Sequence, residues 1–518
     1  MKRNYFALAL FLFVSCKKDD VAVVPQKQPE ISVSASSQSL AATAVPTNVV
    51  NVKDQGAKGD GVTDDTKAIT NALLYAKAHG VPNIYFPDGS YMIGQIGNGG
   101  GIIKLVDGVG MMGNGPATCH IKLTPGRYNP NSIFYQDYVG MPSIGNLTIQ
   151  GIDFNGNLPL QKFDADYQFC HALSINNGKN IEVKNCKFQS FRGDGLLFGD
   201  VFETSLNKRI VTNVNVHDSE FFNIYREGTM FCCVNGASFY NNNVHGDGYL
   251  VGGVDIERHS VNESVLNVSV YNNMFNFADG YGPVERGGPK VRYRRAVTMG
   301  FFYNGYKNGV ADELSGNHKI YNNKIYQGQI DCWGMINISI SGNCFTNTYE
   351  NITGVQFLTA PAINIADPAN TKGLINVSAD NNVIKSAIGN GIMFHNYTQA
   401  QANANTITGT RADGINLIGT SGYFYGNTIA DAGTTSQKAS GFIVSGNSSG
   451  LIITTNQATN TLSGTARTMD YVVKIAGVNN GKVAPKIQNN KGKNMSAGIV
   501  SLYWLQSTFA DLLNNLAG

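Results

Sequence analysis

Short apolar alternations, each opened by a glycine, recur along this chain and alternate with a second phrase that begins with asparagine. The second phrase is Asn, any residue, and then Val, Ile or Phe, and it returns every 20 to 50 residues from about residue 180 onward. Its tightest spacings are close to 22 residues. A fixed period of this size predicts a solenoid, because stacked units bury a core that no unit could bury alone. The phrase begins at Asn242, Asn273, Asn323, Asn343, Asn382, Asn405 and Asn427.

The glycine phrases indicate which solenoid this is. Each repeat has room for two or three strands that are too short to bury a face by themselves. We therefore predict an all-β fold, a single-stranded right-handed parallel β-helix with an N-terminal capping α-helix. The phrases are Gly195-Leu-Leu-Phe-Gly, Gly253-Val-Asp-Ile-Glu, Gly391-Ile-Met-Phe-His, Gly414-Ile-Asn-Leu-Ile and Gly441-Phe-Ile-Val-Ser.

The amino-acid composition is typical of a chain with many tight turns between short strands. The chain has 59 glycines in 518 residues, and only 14% of its residues are charged. Glycine and asparagine supply the positive φ angles and turn chemistry that corners need. An asparagine at the same corner of each coil can also donate to and accept from its neighbours in a ladder. We therefore expect the repeated asparagines to be structural and not catalytic.

The first residues predict export. Met1-Lys-Arg is basic, residues 5–14 are apolar, and Ser15-Cys16 follows. This run is too short to span a bilayer, which favours a signal peptide over residues 1–15. Ser15-Cys16 resembles a bacterial lipobox, which implies lipidation of Cys16, and residues 17–20 resemble the export tag of Bacteroidota surface lipoproteins. We expect a flexible tether over residues 16–47 and an outer-membrane lipoprotein; the alternative is a periplasmic or secreted protein.

The remaining cysteines and the net charge exclude some classes of function. The other seven cysteines are scattered and contain no C-x-x-C motif, which favours neither a disulfide framework nor a zinc site. We predict no metal site from them. A formal net charge of +3 is too small to indicate a nucleic-acid partner.

The segment after the tether carries a family resemblance. Residues 49–69, VVNVKDQGAKGDGVTDDTKAI, and residues 84–93, IYFPDGSYMI, resemble the N-terminal cap of the pectate-lyase-like superfamily. That superfamily includes polygalacturonases, rhamnogalacturonases, alginate epimerases and phage tailspike depolymerases. The resemblance implies a β-helix that acts on a polysaccharide. We place the cap at residues 48–100, the coils at 101–505 and a C-terminal cap or tail at 506–518.

The cap should contain an amphipathic helix over residues 63–79. Thr63 is suited to be its N-cap, and Asp64 and Asp65 would lie in a first turn that favours negative charge. Gly80 would end the helix. Such a helix would cover the open end of the solenoid. The apolar stripe consists of Ala68, Ile69, Ala72, Leu73 and Ala76.

Alignment of the glycine phrases places one strand of each coil in register. Because side chains alternate along a strand, Val254 and Ile256 should point inward while Asp255 and Glu257 point outward. Corresponding positions of successive coils then form two outward columns. We expect the Asp255 column to hold Leu197, Met230, Asp255, Thr298, Asp331, Gln356, Met393 and Asn416, and the Glu257 column to hold Gly199, Cys232, Glu257, Gly300, Trp333, Leu358, His395 and Ile418.

These columns contain the candidate chemistry. Asp255, Glu257 and Asp331 are the candidate catalytic carboxyls, with Asp255 and Glu257 as the first choice for an acid–base pair. Acids rarely interrupt an apolar strand unless they are partnered or functional. An aromatic ring such as Trp333 beside carboxylates suits a sugar-binding groove. The candidate substrate-binding residues are Trp333, Arg258, His259, His395, Lys290, Arg292 and Arg294.

Three of those basic residues come from the longest interruption of the period. Residues 278–295 are too many for a standard corner and should project beside the strand that bears Asp255. Insertions in solenoids gather on the binding face. The basic side chains could bind the carboxylates or sulfates of an acidic polysaccharide. The alternative is a solvated basic loop without a ligand.

Two reaction classes and one binding function fit these residues. We place carboxylate-based hydrolysis of an acidic polysaccharide first, since Asp255 and Glu257 would be roughly 6.5–7 Å apart and Asp331 about 9–10 Å from Asp255. The alternatives are a lyase or uronate epimerase, and a surface glycan-binding protein without catalysis. The polygalacturonase motifs are not recognisable. We expect no required cofactor, calcium only if the enzyme is a lyase, no nucleic-acid partner, and a fold that allows a homotrimer.

Overall fold

A computed structural model describes most of the chain after the tether, and these residues all lie in one compact unit, Pro46–Gly518. The described residues are 47–94, 100–126, 130–136, 142–162, 169–199, 205, 208–246, 252–277, 295–301, 314–346, 361–366, 375–434, 437–446, 448, 450–461, 463, 468–476, 485–502, 511–513 and 516–517. The predicted signal peptide, Cys16 and most of the tether are outside this set. Within it, no helix is long and apolar enough to cross a membrane.

Three parallel sheets, here named sheets A, B and C, run the length of the unit. Successive turns of the chain add one strand to each sheet, so neighbouring strands of a sheet lie one rung apart, about 4.8 Å. Sheet A consists of Val49–Asn51, Asn83–Phe86, Gly110–Gly113, Ile144–Gln150, Gly178–Lys184, Val211–His217, Val234–Tyr240, Val265–Tyr271, Ser315–Gly316, Lys319–Tyr321, Ile338–Ser341, Ile375–Asp380, Thr398–Asn403, Gly422–Tyr425, Ile452–Thr454, Lys486–Gln488 and Asp511–Leu513.

The other two sheets follow the same order along the chain. Sheet B consists of Asp60–Asp64, Gly89–Ile93, Cys119–Leu123, Asp153–Asn155, Lys187–Gln189, Glu220–Phe222, Asn243–His245, Met274–Asn276, Lys324–Tyr326, Cys344–Thr346, Val383–Lys385, Thr406–Thr408, Thr428–Ala430, Gln457–Thr459, Lys491–Lys493 and Leu516–Ala517. Sheet C consists of Gly101–Lys104, Ser132–Tyr135, His171–Ile175, Leu196–Phe198, Glu227–Phe231, Gly252–Arg258, Arg295–Phe301, Gln329–Trp333, Ile363–Ala366, Ile392–His395, Ile415–Ile418, Ala439–Ser445, Met469–Ile475 and Gly498–Leu502.

This architecture is a right-handed parallel β-helix, and the fold prediction is confirmed. The strands Asp511–Leu513 and Leu516–Ala517 pair in parallel with sheets A and B. The coils therefore continue past residue 505, where we placed their end. The core lies between the three sheets and is filled by inward apolar side chains. Phe188 stacks between Phe154 and Phe221, with ring centroids 5.1 Å apart on either side.

The capping helix is present but starts later than predicted. It spans Thr66–Ala78, and Asp65 and not Thr63 is its N-cap residue. Thr63 belongs to the strand Asp60–Asp64. The buried Asp65 carboxylate accepts hydrogen bonds from the backbone N–H groups of Lys58 and Gly59, at 2.6 and 3.1 Å, and so fixes the loop before the helix. The predicted stripe packs on the core, and Gly80 follows the C-cap residue with a φ of 67°.

The repeated asparagines form the predicted ladder. In each coil the asparagine oxygen accepts the backbone N–H of the preceding coil's asparagine, for example Asn323 N–H to Asn343 Oδ1 at 3.0 Å. Its amide nitrogen donates to a strand carbonyl of the preceding coil, as Asn343 does to Ile320 at 2.9 Å. All of these side chains are buried. The ladder runs through Asn242, Asn273, Asn323, Asn343, Asn382, Asn405, Asn427, Asn456 and Asn490.

Candidate functional site

The outer face of sheet C carries the Asp255 and Glu257 columns in the predicted register. Asp255 pairs with Met230 on one side and with Thr298 on the other, and Thr298 pairs with Asp331. Val254 and Ile256 are fully buried in the core, so the alternation is as predicted. The coil after Asp331 differs: Asn364 and Ala366 occupy the positions that we gave to Gln356 and Leu358. Residues 356 and 358 themselves lie outside the described part of the chain.

The downstream candidates lie on this same face. Trp333 follows Asp331 by two residues and is 39% exposed, which leaves its ring open to a ligand. His395 lies two rungs beyond Trp333, with Ala366 between them. Asp331, in contrast, is buried. The prediction of a fully solvent-exposed face was therefore wrong for Asp331, which lies at the base of the groove.

Arg258 is not a groove residue. It is 1% exposed and points to the opposite side of the strand from Glu257. Its Nε and Nη2 donate to the carbonyls of Ser260 and Val261, at 2.8 and 2.7 Å. It therefore holds the turn after the strand, and its assignment to substrate binding was wrong. His259 does reach the Glu257 carboxylate, with Nε2 3.4 Å from Oε2.

A third column, which the sequence analysis missed, borders the other two. It precedes the Asp255 column by two or three residues in each coil and includes Glu227, Gly252 and Arg295, which pair in that order. Asp194 lies one coil before Glu227 and accepts the Glu227 backbone N–H at 3.1 Å through Oδ1. The signal was available, because an acid stands directly before the glycine in both Asp194-Gly195 and Glu227-Gly228.

Asp194 is the ionised member of this column. Burial raises the pKa of Asp194, but Arg226 and His171 outweigh burial and bring its pKa below the ordinary value. Arg226 Nε lies 3.5 Å from Asp194 Oδ1. His171 Nδ1 lies 3.2 Å from Asp194 Oδ2 and accepts the Asp194 backbone N–H at 2.8 Å.

Glu227 and Asp255 are carboxyls of neighbouring coils whose pKa values both lie above the ordinary range. Burial, and then the charge of Asp255, raise the pKa of Glu227 well above its usual range. Burial and Glu257 raise the pKa of Asp255 to about 8, although Arg226 and Arg295 oppose the shift. Within the described residues, Asp255 Oδ1 and Glu227 Oε2 are buried without a hydrogen-bond partner. Such groups in a cleft are typical of functional sites.

Gly252 makes room for this pair. A Cβ added at Gly252 would fall within the space of the Glu227 carboxylate, 2.6 Å from its Cδ. The backbone of Gly252 is not in the positive-φ region, so the glycine is required for space and not for conformation. Glu227 can lie over the next rung toward Asp255 only because this position has no side chain.

Asp331 and Arg295 form the downstream half of the groove. Arg295 Nε is 3.3 Å from Asp331 Oδ2, and Asn364 Nδ2 donates to Asp331 Oδ1 at 2.7 Å. Burial raises the pKa of Asp331, and Arg295, Asn364 and Trp333 reduce the shift without cancelling it. The Arg295 guanidinium also lies 5.3 Å from the Trp333 ring centroid, in a cation–π contact.

Three candidate substrate-binding residues stay predictions. Lys290, Arg292 and Arg294, with the rest of the 278–294 segment, lie outside the described residues. Among the residues that are described, no cluster of three or more His, Cys, Asp or Glu side chains could hold a metal ion.

The chain is similar to several proteins of known function. The family model "Rhamnogalacturonase A/epimerase, pectate lyase-like" matches residues 49–274. Mannuronan C5-epimerase AlgE1 of Azotobacter vinelandii is 28% identical over 201 residues, which are 38% of this chain and 14% of the epimerase. Alginate lyase 7 of the same organism is 31% identical over 220 residues, 40% of this chain and 24% of the lyase. The chain thus spans a quarter or less of the length of these relatives.

The likeness to solved structures concerns the fold alone. A mutant tailspike protein of E. coli bacteriophage HK620, in complex with a pentasaccharide, has a TM-score of 0.60 at 14% identity, over 88% of this chain and 78% of that chain. The match of the family model begins at Val49, where the cap begins, and ends within the coils. The three parallel sheets and the capped first coil have the fold of a right-handed parallel β-helix, and over residues 49–274 the chain is similar to the pectate-lyase-like family.

Proposed function

We propose that this protein is an enzyme that acts on uronate residues of an acidic polysaccharide and removes the proton at C5. The outcome is epimerisation at C5, or cleavage of the chain by elimination. The observation that carries the proposal is the buried Oδ1 of Asp255, which has no hydrogen-bond partner among the described residues and lies beside Arg226 and Arg295, in a place where burial raises the pKa of the carboxyl to about 8. Protonated acids and guanidinium groups are suited to receive the carboxylate of a uronate.

The chemistry follows from the need to neutralise that carboxylate. Loss of the C5 proton leaves an electron pair that moves into the carboxyl group, so negative charge develops on its oxygens. A carboxylic acid kept neutral by burial can donate a hydrogen bond to such a charge at pH 7. In this proposal Asp255 donates that hydrogen bond and Arg295 balances the charge.

Glu257 is the proposed proton acceptor. It projects from the same strand face as Asp255, roughly 6.5–7 Å along the strand, and His259 Nε2 lies 3.4 Å from its Oε2. The C5–H bond breaks and its proton moves to Glu257. For epimerisation, a proton from water then adds to C5 on the opposite face of the sugar ring. For elimination, the bond from C4 to the glycosidic oxygen breaks, a C4–C5 double bond forms, and the departing oxygen takes a proton from water.

The downstream rungs would hold the polysaccharide. Trp333 offers an exposed ring for the apolar face of a pyranose. Asn364 and His395 follow on the next rungs of the same face and present polar groups to sugar hydroxyls. The similarity to mannuronan C5-epimerases and to an alginate lyase supports a uronate substrate and favours C5 chemistry over hydrolysis, which the sequence alone placed first.

Hydrolysis is the second candidate, and one observation favours it. Asp331 lies two rungs from the protonated Asp255, which corresponds to about 9–10 Å. Carboxyl pairs at roughly 6.5–9.5 Å are typical of inverting glycosidases. In that reaction Asp255 would protonate the leaving oxygen and Asp331 would activate water.

One incubation separates the three reactions. The purified protein is incubated in D₂O with polymannuronate, alginate, polygalacturonate and a neutral glucan. Deuterium at C5 without new chain ends indicates epimerisation, and a rise in absorbance near 232 nm indicates elimination. New reducing ends without either signal indicate hydrolysis. Absence of all three signals on every uronate polymer, with a folded protein, would overturn the proposed function.

We further propose that the protein is held at the outer membrane by a lipid on Cys16 and requires no cofactor. The support is the sequence of residues 1–20. Replacement of Cys16 by alanine should move the protein from the membrane fraction to the soluble fraction of the natural host or of a related Gram-negative host. Retention of the Cys16→Ala variant in the membrane would contradict the lipid anchor.

A further inference from the structure

The two halves of the outer face of sheet C differ in accessibility. On the upstream side of Asp255, the two outward columns hold Leu197, Met230 and Cys232, which are 4%, 1% and 0% exposed and form a hydrophobic cluster separate from the core. On the downstream side, Trp333 is exposed and His395 is partly exposed. Among the described residues, this face is therefore accessible on the C-terminal side of Asp255, at Trp333 and His395, and covered on its N-terminal side, at Leu197, Met230 and Cys232.

Arg226 forms the polar end of the covered side. Its Nη2 lies 3.6 Å from the Sδ of Met230, the residue that pairs with Asp255 one rung upstream. Its Nε is 3.5 Å from Asp194, whose side chain is fully buried. The Arg226 side chain is itself 25% exposed, so part of it faces solvent. A side chain packed on a buried thioether and paired with a buried carboxylate has little freedom to move away.

We propose that the polysaccharide enters only from the downstream side and that the protein acts at a chain end, with Arg226 against the terminal residue. This inference rests on the proposed function, because it concerns the same groove. One sugar unit beyond Asp255 would meet Arg226 and the cluster of Leu197, Met230 and Cys232. A chain that continued in both directions would need that cluster to be uncovered, at the cost of exposing buried apolar surface.

The lengths and modified positions of the products show whether the enzyme acts at a chain end. With alginate oligosaccharides of six to eight units, each labelled at the reducing end, attack at a chain end changes one terminal unit at a time from the first minutes. Monosaccharide, or a single modified terminal unit, is then the main early product. An even distribution of product lengths, or of modified positions along the chain, would overturn the inference while leaving the proposed function intact.

Variants of Met230 and Arg226 test whether these residues limit the enzyme to chain ends. Met230→Ala combined with Arg226→Ala should open the upstream side, so that internal units are modified and products of two or more units become the majority. Met230→Leu conserves volume and should keep the pattern of the natural protein. Tyr423→Ala, on the outer face of sheet A, controls for general effects of substitution. A double variant that still acts only at the end would show that Arg226 and Met230 do not set this limit.

Binding provides a readout that does not depend on turnover. Calorimetric titration of the Asp255→Asn variant would compare alginate pentasaccharides that are blocked at the non-reducing end, blocked at the reducing end, or free at both ends. One of the two blocks should abolish binding, and the other should have little effect. Equal binding of all three would overturn the chain-end inference, and no binding of any uronate oligosaccharide would overturn the proposed function as well.

Discussion

The asparagine ladder repeats one buried polar side chain coil after coil, whereas the outer face of sheet C carries its acids next to apolar residues such as Leu197 and Met230. In the ladder, each amide accepts from one neighbouring coil and donates to another, as in the contacts from Asn323 to Asn343 and from Asn343 to Asn382. On the outer face of sheet C, Asp255 Oδ1 and Glu227 Oε2 have no partner among the described residues. The first column is satisfied by repetition, and the second is not.

The chemistry of the side chains explains this difference. An amide is both donor and acceptor, so a stack of identical amides can satisfy itself. A carboxylate only accepts, and a stack of carboxylates repels unless some of them hold protons. The protonated state of Asp255 is therefore a result of its neighbours and its burial. Repetition of the same side chain stabilises the fold, whereas interruption of the repetition supplies reactive groups.

Replacement of Asp255 by asparagine should have the largest effect. The variant keeps the size of the side chain but loses its acidic proton, and we expect a loss of about 10²–10⁴-fold in kcat. The thermal midpoint at neutral pH should stay the same or rise, because the folded variant no longer has to hold a proton that the unfolded chain releases. Turnover of the best uronate polymer and a melting curve check both expectations.

Asp380→Asn is the matched control for that variant. Burial raises the pKa of Asp380 as well, but this residue belongs to sheet A and its Oδ1 accepts the Asn403 N–H at 2.9 Å. Its replacement should leave kcat unchanged. Equal activity of the two variants and the natural protein would show that Asp255 has no part in the reaction.

Replacement of Asn343 by alanine should lower the free energy of unfolding and have no direct effect on the reaction, in contrast to Asp255→Asn. Asn343 accepts from Asn323 and donates to Ile320 and Asn382. Each buried group left unpaired costs about 1–3 kcal/mol. Urea denaturation should show a loss of this size or a small multiple of it. The exposed strand residue Gln457 gives the control: Gln457→Ala should change the free energy of unfolding by at most about 0.5 kcal/mol.

Both the stability and the activity of the protein should depend on pH through the ionisation of Asp255. Between its ordinary pKa of 3.8 and its folded pKa of about 8, the folded protein holds a proton that the unfolded chain releases. The stability contributed by this proton is full below pH 3.8 and is lost as the pH rises through about 8. Glu227 acts in the same direction. Activity should also fall above pH 8, where Asp255 ionises.

Denaturation of the natural protein and of Asp255→Asn at several pH values between about 4 and 9 measures this contribution. The free energy of unfolding of the natural protein should fall more steeply with pH than that of the variant, which keeps the contributions of Glu227, Asp331 and Asp380 but not that of Asp255. Parallel curves would contradict the raised pKa of Asp255.

Replacement of Trp333 by alanine should have the smallest effect. Loss of an aromatic contact costs about 0.5–1.5 kcal/mol, which corresponds to roughly a 2- to 12-fold rise in KM. The value of kcat should change little, because Trp333 would contact the sugar and not the reacting atoms. Trp333→Phe should recover most of the affinity. A fall in kcat with an unchanged KM would contradict a binding role for Trp333.

The sequence predicted the parts of the molecule in which neighbouring coils repeat. The ladder from Asn242 to Asn427 and the outward placement of Asp255 and Glu257 followed from period and alternation alone. The register failed first at Gln356, where Asn364 takes the expected position. A long coil offers several apolar runs of similar length, and only packing against both neighbours selects one of them.

The site was predicted only in part, because its groups act on one another across rungs. Alternation along the strand places Arg258 opposite Glu257, so its assignment to the groove could have been avoided. Arg226 was missed, and Arg295 was expected only as part of the basic segment 278–295. The contacts that make them important are with Asp194 and Asp331, which lie more than 30 residues away along the chain. Burial, which raises the pKa of Asp255, is likewise set by the packing of several coils.

Gly252 has a consequence for how this sequence can change over time. Since a side chain there would occupy the space of the Glu227 carboxylate, the two positions are constrained together. A relative that gains any side chain at position 252 must lose the acid at position 227 or direct it elsewhere. Among relatives that retain the function, glycine at 252 and glutamate at 227 should therefore be inherited as a pair, and either of them without the other would mark a lineage whose groove has taken a different role.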